Sequence, residues 1–185
     1  MQLILASNSP RRRELLDLFN IQFKIKVSDF CEEQESLDPI KTAESFAFGK
    51  AESVFNSLKN KSGVAVLGAD TVVFLDGKIL GKPNSEDEAI EMLKSLSDKT
   101  HTVITGYCIL TEKEKIVGHD KTLVTFNDLC DKVISDYIKS GLYKGKAGSY
   151  GIQDGFPLVK RYDGSLNNVI GLPTEKVIPM LKKLL

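Results

Sequence analysis

The chain has 185 residues, of which 42% are apolar, and its 25 Lys and Arg balance 25 Asp and Glu, so its formal net charge is zero. This length suits one domain with a cleft between two lobes, and the apolar fraction allows a sizeable core. Because nonspecific binders of nucleic acid or of anionic membranes are usually basic, the balanced charge argues against both classes, and any anionic ligand must be held by a local cluster.

The N-terminal part of the sequence predicts two strands and two helices. The apolar run QLILA (2–6) is typical of a short buried strand. Ser9 suits the N-cap and Pro10 the first position of the helix that follows. FKIKV (23–27) alternates as a half-exposed strand does, and a long helix is expected over about 39–58, after an acidic loop.

The middle of the sequence predicts a long strand, a helix and a hairpin. VAVLGADTVVFL (64–75) is a strongly apolar strand with a single charge, and the DGK that follows it is a tight turn. Ser85 and Glu88 form a capping box ahead of an amphipathic helix. HTVITGYCILT (101–111) and KIVGHDKTLVTF (115–126) predict a β-hairpin around EKEK.

The C-terminal part combines helices, a loop and a β segment. A helix is expected over about 128–138, and KGKAGSYGIQDG (144–155) is a glycine-rich loop. PLVKRYDGSLNNVIGLP (157–173) predicts a strand, a turn and a second strand, and a closing helix begins at about Pro173. Because helices and strands mix without a regular βαβ rhythm, we expect a mixed α/β or α+β fold, with a twisted sheet and helices on its faces.

The cysteines and the N-terminus exclude several classes of protein. Cys31, Cys108 and Cys130 are far apart, no CxxC pair occurs, and only two histidines are present. A zinc site or a disulfide framework is therefore not expected, and a reducing cytoplasm fits. The N-terminus does not resemble a signal peptide, because its apolar run is short and precedes its arginines, and no stretch is long enough to cross a membrane.

Serines and arginines cluster at the start of the first predicted helix. A helix N-terminus attracts anions, because its first N–H groups are unpaired and the dipole is positive there. Ser7 and Ser9 add hydroxyl donors, and Arg11, Arg12 and Arg13 add charge. The alternative is that these arginines are solvated surface groups. Arginines in a first turn oppose the helix dipole and a bound phosphate would reverse that effect, so we favour an anion site.

Further charged residues interrupt apolar segments. Asp70 lies inside an apolar strand, so a metal, a lysine or a substrate should meet it, unless it caps a turn at the strand end. Lys50 lies in a mostly apolar helix and Lys82 follows a strand, although each alone is most often a surface lysine. Glu32, Glu33 and Glu35 lie in the acidic loop, although such a run is usually a solvated face. Together, the arginine-rich anion site, the two lysines, two or more carboxylates and the glycine-rich loop form the set needed to hydrolyse a magnesium-bound polyphosphate.

At these residues the sequence resembles the Maf family of nucleoside triphosphate pyrophosphatases, along nearly its whole length. ASNSPRR (6–12) is similar to the family motif A-S-x-S-P-R-R. The other matching motifs, in the family's order, are EE (32–33), GKA (49–51), LGADTVV (67–73), GKP (81–83), KAGSYGIQ (146–153) and DGSLNNVIGLP (163–173). The resemblance implies a single Maf-like domain over 1–185, with an elongated mixed sheet and a central cleft, similar to inosine triphosphatases.

The resemblance also implies an activity and a set of site residues. Family members cleave a nucleoside triphosphate between its α and β phosphates, which gives a monophosphate and pyrophosphate. The resemblance implies that Asp70 is the base that activates water. It also implies that Glu33 and Asp70 together bind a divalent metal, Mg²⁺ or Mn²⁺. The phosphate-binding residues that it implies are Ser9, Arg11, Arg12, Lys50 and Lys82.

The family contains a subgroup that prefers dTTP and UTP. That subgroup carries Arg, Thr and Gln at three specificity positions, which match Arg12, Thr71 and Gln153 in this sequence. Two departures affect the rim of the pocket: ESFAFG precedes Lys50 where many relatives have a basic residue, and SLNNV replaces a commonly aromatic motif. A nucleoside triphosphate partner and a homodimer also follow from the resemblance, whereas the cytoplasmic location is expected from the cysteines.

Two kinds of function remain open for the same phosphate cluster. The first is a housekeeping pyrophosphatase that acts on pyrimidine triphosphates, including modified ones. The second is a nucleotide-binding regulator of cell division, since the family has a historical link with septum formation. Only the enzyme requires Asp70 beside a metal and a water, so the presence of Asp70 favours catalysis.

Overall fold

The computed structural model of the protein describes residues 1–32, 36 and 38–185. In that part of the chain, seven strands, six α-helices and a short 3-10 turn form. The strands are β1 (Gln2–Leu5), β2 (Phe23–Ile25), β3 (Val64–Leu75), β4 (Lys78–Leu80), β5 (Thr100–Thr111), β6 (Lys115–Phe126) and β7 (Val159–Asp163). The helices are α1 (Pro10–Leu18), α2 (Pro39–Asn56), α3 (Glu86–Leu96), α4 (Asp131–Ser140), α5 (Leu166–Ile170) and α6 (Thr174–Leu184), and the 3-10 turn is Ala147–Ser149.

All seven strands belong to one mixed sheet. Its order is β2-β1-β3-β5-β6-β7, with β4 beside the second half of β3. β1 runs parallel to β2 and β3, whereas the other pairs are antiparallel, and β5 and β6 form the expected hairpin. This mixed sheet with helices on its faces confirms the predicted fold class. In the part of the chain that is described, no helix is long and apolar enough to cross a membrane.

The pairing of β3 leaves a gap along one edge. β5 pairs with β3 along nearly its whole length, from Ala65 to Phe74. On the other edge, the pairing with β1 ends at Leu67, and the pairing with β4 begins only at Val73. Asp70 therefore lies in the gap between two neighbouring strands, where the edge of the central strand is open.

The helix α2 lies close against the sheet because two glycines of the sheet face it. A Cβ atom at Gly68 would overlap the carbonyl of Ala47, and one at Gly106 would overlap the carbonyl of Ala43. The backbones of helix and strands therefore approach each other directly. This close packing places α2 over the face of the sheet to which Asp70 belongs.

The opposite face of the sheet carries two apolar clusters. The first contains α1 and α6 with the first half of β3, through residues such as Leu16, Leu67 and Leu181. The second contains α3 and α4 with the last residues of β3, through residues such as Val73 and Leu93. Successive odd-numbered residues of β3 point to this face, so Thr71 lies between the two clusters.

Several local predictions differ from the structure. The second strand expected in 157–173 is wrong, because α5 forms there, with the hydroxyl of its N-cap Ser165 accepting a bond from the Asn168 N–H at 3.1 Å. The helix expected from about residue 128 begins three residues later, at Asp131. The hydroxyl of Ser85, the N-cap of α3, accepts from the Glu88 N–H at 3.1 Å, as predicted. The returning bond of the capping box differs, because the carboxylate of Glu88 accepts from the N–H of Asn84 at 2.7 Å and not from that of Ser85.

Candidate active site

A cleft of about 530 Å³ opens at the gap in the edge of β3. It brings together the predicted site residues that the structure describes, which are Ser9, Arg11, Arg12, Lys50, Asp70, Thr71, Lys82 and Gln153. Glu33, predicted as a metal ligand, lies outside the described residues. Arg13 was expected to add charge to the anion site, but it is not one of the residues that line the cleft.

Asp70 is the buried carboxylate at the centre of the cleft. Its residue is only 4% exposed, and it lies opposite Gly106 of β5. Its Oδ1 accepts a hydrogen bond from Lys50 Nζ at 2.5 Å, which α2 places directly above it. Among the described residues, no donor reaches its Oδ2. Of the interpretations offered for Asp70, the structure shows the one in which a lysine meets it. The interpretation that Asp70 caps a turn at the strand end is wrong, because Asp70 lies in the middle of β3.

Lys50 also binds a second carboxylate, that of Glu32. Lys50 Nζ lies 2.7 Å from Glu32 Oε1, and Lys82 Nζ lies 3.1 and 3.2 Å from the two oxygens of the same carboxylate. Burial opposes the ionisation of Glu32, but the hydrogen bond and charge of Lys50, aided by Lys82, hold its pKa below the usual value. Glu32 is thus a charged residue of the site.

Glu32 was one of the candidate carboxylates of the acidic loop, but no role in the site was predicted for it. The sequence shows a pair of glutamates at 32–33, and the family resemblance singles out the second one. A loop has no periodicity from which the inward-facing residue can be deduced. Glu33 beside it and Lys50 on α2 were the signals available in the sequence. They indicate that this segment belongs to the site, but they do not identify Glu32.

Arg12 is held in place by three hydrogen bonds. Its Nε donates to the carbonyl of Gly171 at 2.8 Å, and its Nη1 and Nη2 donate to Ser7 Oγ at 3.1 Å and Thr71 Oγ1 at 3.3 Å. Burial lowers the pKa of Arg12, and the Asp70 carboxylate opposes that shift. An arginine nevertheless stays protonated in proteins, so Arg12 brings a fixed positive charge to the cleft.

The start of α1 contributes backbone donors to the same cleft. Ser9 has the extended backbone of an N-cap residue, but its hydroxyl makes no capping bond. Its own N–H donates to Ser7 Oγ at 3.2 Å. Without a side-chain cap, the first N–H groups of the helix are left for a ligand, next to the Arg11 and Arg12 side chains.

A chain of hydrogen bonds fixes the hydroxyl of Thr71. Thr105 Oγ1 donates to the carbonyl of Asn168 at 2.8 Å and lies 2.9 Å from Thr71 Oγ1. Since the single hydroxyl proton of Thr105 is used in that bond, Thr71 must be the donor to Thr105. Thr71 also accepts from Arg12, so it presents only a remaining acceptor lone pair to the cleft.

Gln153 lies on the glycine-rich loop at another wall of the cleft. Its side chain is exposed, and none of the described residues forms a hydrogen bond with its amide. Both its donor and its acceptor are therefore available to a ligand. The next residue, Asp154, pairs with Lys146, and both of these also line the cleft.

These features define an α/β protein with a cation-lined cleft around one buried carboxylate. The profile of the family described as "Maf-like protein" matches residues 2–184. The chain therefore belongs to the Maf family, and the resemblance stated from its motifs is confirmed.

Curated relatives cover nearly the whole chain. A protein of Thermococcus onnurineus named "dTTP/UTP pyrophosphatase" is 47% identical over 95% of this chain and 94% of its own length. Proteins of the same name from Ruminiclostridium cellulolyticum and Aquifex aeolicus are 44% and 40% identical, over 98% and 100% of this chain and 95% and 96% of their own lengths. A solved structure, the Ham1 protein of Staphylococcus aureus, aligns with a TM-score of 0.47 and 16% identity over 69% of this chain and 73% of its own.

Proposed function

We propose that this chain is a nucleoside triphosphate pyrophosphatase that hydrolyses dTTP and UTP to the monophosphate and pyrophosphate. The names of the relatives at 40–47% identity support this activity and this choice of substrates. The observation that carries the proposal is the buried Asp70 in a cation-lined cleft. One of its oxygens is held by Lys50, and no donor of the described residues reaches the other.

Asp70 acts in this proposal as the general base. Its Oδ2 accepts a proton from the water that attacks the substrate, while Lys50 fixes the orientation of the carboxylate through Oδ1. Lys82, Arg11 and the N–H groups at the start of α1 stabilise negative charge on the phosphates. Pyrophosphate is then the leaving group, and its charge is neutralised by the same cations.

The carboxylates of the cleft fit a divalent cation. Mg²⁺ prefers oxygen ligands, and it is usually held by one or two carboxylates together with substrate phosphates. Asp70 and Glu32 supply two carboxylates that share one lysine, and Glu33 belongs to the proposed set through the family resemblance. Mg²⁺ or Mn²⁺ bound with the substrate would neutralise phosphate charge in the transition state.

Arg12, Thr71 and Gln153 select the base in this proposal. Uracil and thymine present two carbonyl acceptors on either side of an N3–H donor. The free amide of Gln153 offers a donor and an acceptor, and the free lone pair of Thr71 offers an acceptor. A mismatched base would leave these polar groups unpaired, which is how hydrogen-bonding sites reject analogues strongly.

Release of pyrophosphate tests the proposal directly. The purified protein with Mg²⁺ or Mn²⁺ should release pyrophosphate from dTTP and UTP, and nucleoside monophosphate should accumulate in equal amount. Tight binding of dTTP without release under either metal would instead indicate the nucleotide-binding regulator. Equal kcat/KM values for dTTP, UTP, ATP and GTP would refute the base preference and leave the hydrolytic activity standing.

A further inference from the structure

A second buried carboxylate lies in the wall of the same cleft, beside Gln153. Asp154 has a side chain that is 11% exposed, and its Oδ2 accepts hydrogen bonds from Lys146 Nζ and from Tyr137 Oη, the latter at 2.6 Å. Tyr137 Oη in turn accepts from the N–H of Gly151 at 3.1 Å. Two donors therefore hold one carboxylate oxygen in a fixed position.

The other oxygen of this carboxylate is unused. Within the described residues, no donor reaches Asp154 Oδ1. This atom is not fully buried. Gly151 lies against the carboxylate, since a Cβ there would come 2.6 Å from both of its oxygens and 2.7 Å from Lys146 Nζ. Glycine at position 151 therefore lets the carboxylate pack against the loop backbone, and Asp154 is one of the residues that line the cleft.

The charge of this acceptor decides what it binds. Lys146, itself only 8% exposed, neutralises Asp154, so the pair is compatible with a nearby polyphosphate. A carboxylate oxygen cannot bind a phosphate oxygen or a base carbonyl, because both are acceptors. Among the groups of a nucleotide, those that can donate to it lie on the nucleoside part: the base N–H and the sugar hydroxyls.

We propose that Asp154 accepts a hydrogen bond from the 3′-hydroxyl of the substrate sugar and is a specificity-determining residue. The 3′-hydroxyl is the one sugar donor that dTTP and UTP share. The ring N3–H already has acceptors in Thr71 and Gln153, whereas none of those residues is assigned to the sugar. Asp154 directly follows Gln153 in the chain, which places it next to the group that binds the base. This inference rests on the proposed function.

The test combines one substitution with one substrate analogue. In Asp154→Asn, the amide oxygen stays with the donors Lys146 and Tyr137, so the amide NH₂ replaces the acceptor that faces the cleft. The wild type should prefer dTTP to its 3′-deoxy analogue by about 10- to 100-fold in kcat/KM, as expected for a hydrogen bond to a charged group. In Asp154→Asn, this preference should fall to about threefold, because the neutral amide can only donate to the hydroxyl oxygen and dTTP hydrolysis therefore falls more than hydrolysis of the analogue.

Tyr137→Phe is the matched control. It removes a donor to Oδ2 and the partner of Gly151 N–H, but it leaves Oδ1 in place. A purely structural role for the cluster would make Tyr137→Phe and Asp154→Asn similar, with parallel losses for both substrates. We expect Tyr137→Phe to lower thermal stability and to keep the preference for the 3′-hydroxyl.

Binding of the product separates this inference from the proposed function. Calorimetry with dTMP and its 3′-deoxy analogue requires no hydrolysis, and the preference for dTMP in the ratio of their Kd values should fall to about threefold in Asp154→Asn. A wild type that does not hydrolyse dTTP but keeps this ratio contradicts only the proposed function. Equal affinity of the wild type for both monophosphates, or a ratio that Asp154→Asn leaves unchanged, overturns the assignment of Asp154.

Discussion

Lys50 organises the centre of the cleft at the scale of single residues. It is the one cation that bonds to both Asp70 and Glu32, at 2.5 and 2.7 Å, among the residues that the structure describes. Two carboxylates at such close range repel each other unless a positive charge lies between them. Lys50 thus keeps the two acids together and leaves Asp70 Oδ2 available for chemistry.

Replacing the proposed base should stop turnover. Asp70→Asn keeps the shape of the side chain but removes its basicity and its negative charge, and loss of a general base lowers rates by about 10²–10⁴-fold. Asp76→Asn is a matched control, since Asp76 lies on the exposed turn after the same strand and, among the described residues, pairs only with Lys99 at the surface. Pyrophosphate release from dTTP measures both variants. Near-normal release by folded Asp70→Asn would contradict the assignment.

The amide of Gln153 should govern the choice of base more than the rate of attack. Gln153→Ala removes a free donor and acceptor that no other described residue uses. We expect the ratio of kcat/KM for dTTP over ATP to fall by about fivefold, because one lost hydrogen bond contributes on the order of 1 kcal/mol. Competition assays with both nucleotides measure this ratio. An unchanged ratio with a reduced rate would assign Gln153 to the phosphates.

The sequence predicted most of this site because its charged residues lie in unusual places. A carboxylate inside an apolar strand and a lysine inside an apolar helix both require partners, and the structure pairs Asp70 with Lys50. Glu32 and the Lys146–Asp154 pair were not identified. Both depend on which side chains of a loop turn inward, and no local pattern in a loop encodes that direction.

At the scale of elements, the short helix α5 positions the arginines. The carbonyl of Ile170 accepts from Arg11 Nε at 3.3 Å, and the carbonyl of Gly171 accepts from Arg12 Nε at 2.8 Å. These carbonyls lie at the C-terminal end of the helix, where unpaired acceptors and the dipole attract cations. The prediction of a strand here therefore missed an element of the site as well as a detail of the fold.

Asn168 anchors α5 to the sheet, and its loss should destabilise the protein. Its buried amide accepts from Thr105 N–H at 3.2 Å and donates to the carbonyl of Val103 at 3.1 Å and to Thr122 Oγ1 at 2.9 Å. Asn168→Ala leaves these buried groups unsatisfied, at about 1–3 kcal/mol for each group left unpaired. Since three groups lose their partner, we expect the free energy of unfolding in urea to fall by at least about 3 kcal/mol.

The neighbouring residue provides the control for this prediction. Asn167 belongs to the same helix, but its amide bonds to Thr174 and Glu175 at a partly exposed position. Asn167→Ala should therefore reduce the free energy of unfolding by less than Asn168→Ala does. An equal loss in the two variants would show that helix propensity, and not the anchor in the sheet, controls α5.

The same anchor explains why α5 was mistaken for a strand. NNVIG contains weak helix formers and a β-branched pair, so local propensity favours an extended segment. The bonds of Asn168 to β5 and β6 join residues more than 40 positions apart, and they outweigh that propensity. Long strands such as β5 and β6 were predicted correctly because their apolar patterns extend over about a dozen residues each.

At the scale of the whole molecule, the position of the cleft follows from the pairing of β3. The strand is continuous, but its partners β1 and β4 leave the edge open between Leu67 and Val73. Asp70 and Thr71 point to opposite faces, and both reach the cleft through this gap. Such a gap depends on contacts between distant segments, so the chain length and the family resemblance predicted a cleft but not its position at this edge of β3. The expected homodimer and cytoplasmic location stay predictions.

The buried His101 should make the stability of the whole fold depend on pH. His101 is 2% exposed, its Nε2 bonds to Tyr150 Oη at 2.7 Å, and its Nδ1 is buried without a partner among the described residues. Burial lowers its pKa from 6.5 to about 4. The unfolded chain therefore binds a proton at this residue over a pH range in which the native protein does not.

The sign of the effect follows from this difference in proton binding. The contribution of His101 to stability is intact above about pH 6.5 and is lost progressively as the pH falls to about 4. The loss is at most about 3–4 kcal/mol, since the pKa shift is about 2.5 units and each unit corresponds to about 1.4 kcal/mol. Urea unfolding at a series of pH values should show this decline in the wild type and a smaller one in His101→Gln. His119→Gln removes the only other histidine and should show the same decline in stability as the wild type. If His101→Gln declines as much as the wild type, the pH dependence belongs to other groups.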